Sequence, residues 1–250
     1  MTRLFGKHAI EDLLDQAPDA LAAVVYAPRP DPATTRLLER AQKAGIPIRE
    51  VAPELLRESS GSRGGSAIAA DVRLAPAPDL RTLRPDHAPL LIALDQVTDP
   101  HNLGAILRSA AAFSASAVIV PRDGSAPLND AAIRASAGGA AHVPVLRVTN
   151  LARALGELHD QGYWPCAVTG DAPANAWRTD LASLPLVLVL GAEGTGLRPL
   201  VRKACMLAVK LPIAGRIQSL NVSVAAGIIL AEVARQRASS NLGEPSQRGL

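Results

Sequence analysis

The chain is poor in cysteine and in aromatic residues, and each scarcity closes off a class of function. Cysteine occurs only 2 times in 250 residues. Cys166 and Cys205 show neither C-x-x-C spacing nor a companion histidine cluster, so a disulfide framework and a structural zinc site are both unsupported and the two read as core thiols. Trp, Tyr and Phe occur 2 times each, too few for the platforms on which RRM-type and OB-type domains stack single-stranded bases. Long hydrophobic runs are missing too. "LPLVLVLGA" and "AAGIILAEVA" are too short or too polar-flanked to span a bilayer. The amino-terminal "MTRLFGKHAIEDLL" lacks the apolar core and cleavage site of a secretory signal, so the expected address is the cytoplasm, with no membrane partner.

What is present is enough apolar surface for a real core: 48% of the residues are hydrophobic, room for one large domain or two smaller ones. The net charge of +3 is unevenly spread. Residues 1–75 hold ten Lys/Arg and ten Asp/Glu, whereas residues 196–237 carry Arg198, Arg202, Lys203, Lys210, Arg216, Arg235 and Arg237 against Glu232 alone. A cationic end of this kind draws phosphates by counterion release. On charge alone, a solvated helix face is an equal reading.

Two modules follow from the patterning. Residues 1–75 alternate helix-like and strand-like stretches ("KHAIEDLLDQA", "LAAVVYA", "DPATTRLLERAQKAG", "IPIREVA", "PELLRESS", "SAIAADVRL"), each bounded by Pro or Gly. The proline-rich "APAPDLRTLRPDHAP" disfavours helix and central strand and reads as an extended linker, residues 76–89. From residue 90 to 238, apolar strands near 90–95, 117–121, 143–148, 164–169, 186–190 and 207–211 alternate with helices near 102–114, 129–138, 150–161, 197–205 and 219–237. That alternation predicts an α/β fold with a parallel sheet covered on both faces. The polar "ASSNLGEPSQRGL" reads as a disordered tail, 239–250.

Ligands of such sheets gather beyond the carboxyl ends of the strands, so the strand-to-helix turns carry the functional signal. Three are unusual. In "LLIALDQVTDPHNLGAILRS" a buried strand leaves through Asp, Pro, His and Asn and then holds Arg108 on an otherwise apolar helix. In "LVLVLGAEGTGLRPLV" a strand breaks into Gly191, Gly194 and Gly196 around Glu193. In "KLPIAGRIQSLNVSVAAGIILAE" a loop leads through Ser219 and Asn221 into the last helix. A dinucleotide reading of the glycines fails on spacing, G-x-x-G-x-G rather than G-x-G-x-x-G, and no acidic residue closes a following strand. A hydrolase elbow fails because G-x-S-x-G is absent, and the histidines show no partner spacing. Taken singly, Asn102 and Ser219 sit where helix N-caps belong, Arg108 where a surface ion pair is ordinary, and Glu193 in a solvent turn. The balance shifts if the three turns converge, giving a donor-rich site with one carboxylate and no metal set.

In order and spacing these three stretches resemble the three motifs of the SpoU/TrmH branch of the SPOUT methyltransferases. "FGKHAIEDLL" resembles the start of that family's small ribosomal-protein-like RNA-binding domain. One departure stands out: where relatives carry H-Q-G before the last strand of that domain, this chain has "SRGGSAIAADV". The resemblance implies a SPOUT parallel-sheet domain with a carboxy-terminal trefoil knot, an exception to the rule against knots, and a homodimer with composite sites. It implies S-adenosylmethionine as cofactor, held by Thr169, Gly191, Leu211 and Leu220, and no metal. Asn102, Arg108, Glu193, Ser219 and Asn221 would form the reaction centre. The implied reaction is methyl transfer to the ribose 2'-hydroxyl of a guanosine in 23S rRNA, with transfer RNA as the alternative substrate and no DNA partner. More distant readings are a nucleotide-dependent oxidoreductase and a non-catalytic RNA-binding protein. Because a guanidinium keeps its proton in nearly all protein settings, Arg108 is expected to grip phosphate and stabilise a developing alkoxide rather than act as a base.

Overall fold

The computed structural model describes residues 2–60, 67–87, 89–215 and 219–241. The amino-terminal part runs β1 (Thr2–Phe5), α1 (Lys7–Gln16), β2 (Leu21–Tyr26), α2 (Pro32–Lys43), β3 (Ile48–Glu50), α3 (Pro53–Ser60) and β4 (Ile68–Val72), its sheet ordered β1-β4-β2-β3. Strand β1 has no counterpart in the sequence reading. Four residues are too few to carry a period, and what makes them a strand is antiparallel pairing with β4. Helix α2 starts where the sequence says it must: Asp31 caps it, accepting from the amides of Ala33 and Thr34 at 3.0 Å, with Pro32 in the first turn. The Thr34 amide, ahead of Lys7, holds the Asp31 carboxyl well below the usual carboxylate range. One sheet face buries Leu4, Val24, Ile68 and Ala70 beneath α1 and α2. The other carries Asp71, bridged by Arg3 at 2.9 Å and Arg49 at 3.0 Å.

The larger part contains β5 (Leu90–Asp95), α4 (Pro100–Ala112), β6 (Ala117–Pro121), α5 (Asp130–Ala135), α6 (Gly139–His142), β7 (Val145–Val148), α7 (Leu151–Asp160), β8 (Trp164–Val168), β9 (Ala174–Asn175), β10 (Leu186–Gly191), α8 (Pro199–Lys203), β11 (Leu207–Lys210) and α9 (Val222–Asn241). Its seven strands pair in parallel in the order β7-β6-β5-β10-β8-β11-β9. Central β5 and β10 are apolar almost throughout because both faces are covered. Ile92, Leu94, Leu188 and Leu190 pack against α4 and α9, and Leu91, Ala93, Val187 and Val189 against α7 and α8. The strand order turns back at β5 and β10, and that reversal opens a crevice at their carboxyl ends.

Several boundaries depart from the sequence reading. The helix expected over 129–138 stops at Ala135, the chain turns through left-handed backbone at Ala137 (φ 46°) and Gly138 (φ 89°), and a further short helix that the sequence reading lacked follows at Gly139–His142. The last helix starts at Val222 and continues through Asn241, so residues 239–241 of the expected tail are helical and residues 242–250 lie outside the described residues. The proline-rich stretch is packed down: Leu80–Thr82 form a 3-10 turn and Leu83 is buried with Leu151, Leu155 and Tyr163. The two sheets also share a seam, since Ile133 of α5 is buried in the amino-terminal core and the Ala75 amide donates to the Ala140 carbonyl at 3.0 Å.

Gly104 in α4 faces α5 so closely that a Cβ would lie 2.4 Å from the Ala132 carbonyl oxygen and 2.5 Å from the Ala135 Cβ. Alanine there gains about 1 kcal/mol of helix propensity but overpacks backbone that has nowhere to go, at about 1–3 kcal/mol or more. Gly104→Ala is therefore expected to lower Tm by about 2–6 °C in a calorimetric scan. Burial pushes the thiol of Cys166 up to about 12 and that of Cys205 up to about 11. At about pH 8 iodoacetamide should leave both unmodified in the native protein and alkylate both in concentrated guanidinium, as mass spectrometry will record.

Candidate active site

The first turn is built on a cap. Asp99 closes α4 by accepting from the His101 amide at 2.9 Å, with Pro100 at the first helical position. The helix thus begins two residues earlier than expected, and Asn102 lies inside its first turn rather than capping it. Its carboxamide is free to turn toward the neighbouring loops.

The second turn follows β10. Gly194 (φ 78°) and Gly196 (φ 68°) let the loop double back, the Gly196 amide donating to the Ala192 carbonyl at 2.9 Å. Gly191 is demanded by contact: a Cβ there would lie 2.2 Å from the Gly196 carbonyl carbon and 2.6 Å from the Leu197 nitrogen. In the third turn Asn221, not Ser219, caps α9, its Oδ1 accepting from the Ser223 amide at 2.9 Å.

The three turns meet at the other end of that carboxamide. Asn221 Nδ2 donates to Asn102 Oδ1 at 3.0 Å and to Glu193 Oε1 at 2.5 Å, and Glu193 Oε1 also accepts from the Val222 amide at 3.2 Å. One residue from each motif thus enters a single network whose members are 119 and 28 positions apart in sequence.

Beside the network lies a cavity of about 400 Å³, within the range of nucleoside-sized ligands. Thr169, Gly191, Leu211 and Leu220, the four expected cofactor residues, all line it, together with Glu193 and Ser219. Leu197, Ile213, Val222 and Ala225 add apolar wall that sequence reasoning did not single out. The lining suits S-adenosylmethionine: apolar surface for an adenosine, main-chain polar groups around the glycine turn, and a carboxylate facing a cationic ligand. The Thr169 hydroxyl is turned to Asp171 at 2.7 Å, and this hydrogen bond lowers the Asp171 carboxyl.

Arg108 is not part of this assembly. It lies six residues beyond Asn102, about 240° round the helix, is exposed, and does not line the cavity. Among the described residues it has no hydrogen-bond or ion-pair partner, and Ser219 makes no hydrogen bond to the network.

Three of the seven cations between residues 196 and 237 are engaged within the fold. Arg198 pairs with Asp95, Arg235 with Glu232 at 2.7 Å, and Arg237 donates to the Pro89 carbonyl at 3.0 Å, while Arg216 lies outside the described residues. Internal acceptors hold these three guanidinium groups, while Lys203 of the same stretch is exposed. Among the described residues no helix is long and apolar enough to cross a membrane, and no group of three or more His, Cys, Asp or Glu side chains is placed to hold a metal ion.

Known proteins match this arrangement. The SpoU rRNA Methylase family profile covers residues 89–231, and the profile described as RNA 2'-O ribose methyltransferase substrate binding covers residues 3–76. The chain is 40% identical over 239 residues to the 23S rRNA (guanosine-2'-O-)-methyltransferase RlmB of Vibrio parahaemolyticus, spanning 94% of this chain and 96% of that protein. The RlmB of Pasteurella multocida is 42% identical over 241 residues, 94% and 98% of the two chains. The crystal structure of the SpoU methyltransferase AviRb from Streptomyces viridochromogenes in complex with the cofactor AdoMet is similar with a TM-score of 0.68 at 25% identity, over 95% of this chain and 90% of that one. Three motifs joined at one carboxamide beside a nucleoside-sized cavity, with a family profile across most of the larger sheet, lead to one assignment: the chain belongs to the SpoU rRNA methylase family.

Proposed function

We propose that this protein transfers the methyl group of S-adenosylmethionine to the ribose 2'-hydroxyl of a guanosine in 23S rRNA. The carrying observation is the Asn102–Asn221–Glu193 network at the edge of a cavity lined by Thr169, Gly191, Leu211 and Leu220. Near-complete overlap with RlmB proteins at 40% identity supports ribosomal over transfer RNA. When bound, S-adenosylmethionine supplies an activated methyl group on a sulfonium. The protein's task is then alignment, since in-line displacement on such a donor depends chiefly on holding the two reactants in register.

Glu193 fixes Asn221, Asn221 fixes Asn102, and together with Ser219 they orient the ribose at the cavity edge. Arg108 supplies the cation that grips the adjoining phosphate and stabilises the developing alkoxide, while the O–C bond forms, the S–C bond breaks and the hydroxyl proton passes to solvent water. Its solvent-facing position, away from its own chain's cavity, supports a homodimer in which each site receives Arg108 from the partner subunit. Within this reading the carboxy-terminal segment of the larger domain is threaded into a trefoil knot. Residues 1–75 form the RNA-binding domain, 76–89 its connection, and the methyltransferase domain of a cytoplasmic enzyme runs from residue 90 through the end of α9 at Asn241.

The direct test is transfer of labelled methyl from S-adenosylmethionine to a 23S rRNA transcript, followed by mapping of 2'-O-methylated nucleotides. Label on a base, or none on RNA, would overturn the reading. Arg108→Ala is expected to lower kcat by about 100-fold or more, in line with the loss of one oxyanion-stabilising donor, while calorimetric cofactor affinity stays within about threefold. Mixed dimers of Arg108→Ala and Asn221→Ala subunits should regain one working site per dimer. Activity in neither the mixture nor the refolded heterodimer would rule out a cross-subunit Arg108.

A further inference from the structure

Asp95, the last residue of β5, has a side chain that is 0% exposed. A carboxylate removed from water needs nearly complete compensation. Among the described residues its carboxylate is met by one residue, 103 positions away: the Arg198 amide donates to Oδ2 at 2.8 Å, Nε donates to Oδ1 at 2.8 Å, and Nη2 lies in ion-pair contact with Oδ1 at 2.7 Å. The methyl-transfer chemistry described above uses neither residue.

Their place in the chain explains them better than stability does. In the sheet register Gly191 lies opposite Asp95, so the loop carrying Glu193 leaves the sheet beside this carboxylate. Arg198 then returns the far end of the same loop to the same carboxylate. The loop is closed into a ring with Asp95 as its clasp, and Gly191 lets the returning backbone pass in contact. Asp95 also marks the start of the turn that carries Asn102. A single buried charge is thereby tied to both segments whose side chains meet at Asn221.

We propose that Asp95 and Arg198 are a positioning couple for methyl transfer, holding the 192–197 loop so that Glu193 Oε1 remains on Asn221. The proposal rests on the methyltransferase reading above. Neither residue lines the cavity or belongs to the hydrogen-bond network, so both act through Glu193 and the turn at Asn102.

The test uses the full-length protein with Asp95→Asn, Arg198→Leu, Arg198→Lys and the double variant Asp95→Asn/Arg198→Leu. Two quantities are read: kcat at saturating S-adenosylmethionine and 23S rRNA, per folded molecule by circular dichroism, and the side-chain amide resonance of Asn221. Each of the first two variants should lose about tenfold to 100-fold in kcat, the scale expected for sub-ångström to ångström misplacement. Arg198→Lys should recover part of that loss, because an ammonium keeps one contact to the carboxylate. The double variant should fall no further than the worse single one, since each residue works through the other. The Asn221 resonance should move in both single variants. The couple is refuted if Arg198→Leu keeps kcat within about twofold of the parent, if the two losses multiply, or if the Asn221 resonance stays in place. Should Asp95→Asn fail to fold, the Arg198 variants decide alone. Should the parent protein transfer no methyl group, the functional reading fails, while the resonance still decides whether the couple positions Asn221.

Discussion

The carboxamide of Asn221 is the point on which the site depends. Its oxygen caps the start of α9 by accepting from the Ser223 amide, and its nitrogen joins Asn102 to Glu193. An amide is the only neutral side-chain group that offers a strong acceptor and two donors in one plane, so it can cap a helix and bridge two loops together. A serine at this position would cap the helix and leave Glu193 and Asn102 apart. An aspartate would cap it and repel Glu193. The bond to a carboxylate is charge-assisted and stronger than the neutral one to Asn102, so Glu193 sets the orientation of the amide and Asn102 follows.

That arrangement needs three turns delivered to one place, which the parallel sheet provides. Strands β5 and β10 are adjacent and aligned, so their carboxyl ends release the first and second turns side by side. The order then reverses, and β11 returns from beyond β8 to bring in the third. The apolar strands supply the stabilisation, at about 1.5–3 kcal/mol for each fully buried Leu, Ile or Val. The polar turns, individually worth about 1 kcal/mol per net hydrogen bond, supply direction.

Much of this was legible in the chain. The strands from 90 to 211 stand where their apolar runs end in glycine, proline or asparagine, and the convergence of Asn102, Glu193 and Asn221 followed from the rule that turns at one edge of a sheet share a crevice. What stayed hidden shows why. Taken singly, Asn102 stands where a cap could be, and only the geometry of the Asp99 carboxylate gives that role to Asp99 and leaves Asn102 to the site. The Asp95–Arg198 pair spans 103 positions and has no local pattern at all. Strand β1 takes its conformation from a partner sixty-odd residues away. That Arg198, Arg235 and Arg237 have acceptors of their own was hidden because a sequence does not reveal which guanidinium groups are already paired. Arg108 stands apart for a simple reason of pitch: a helix cannot turn residues six apart toward one point.

The seam at Ile133 has a mechanical consequence. To swing the amino-terminal lobe away from the larger sheet, the protein would have to wet Ile133 together with the flanking Leu128 and Ala141, and break the bond between Ala75 and Ala140. Separation of the two halves therefore carries a desolvation cost on top of a lost hydrogen bond, so any opening between them is opposed by this contact.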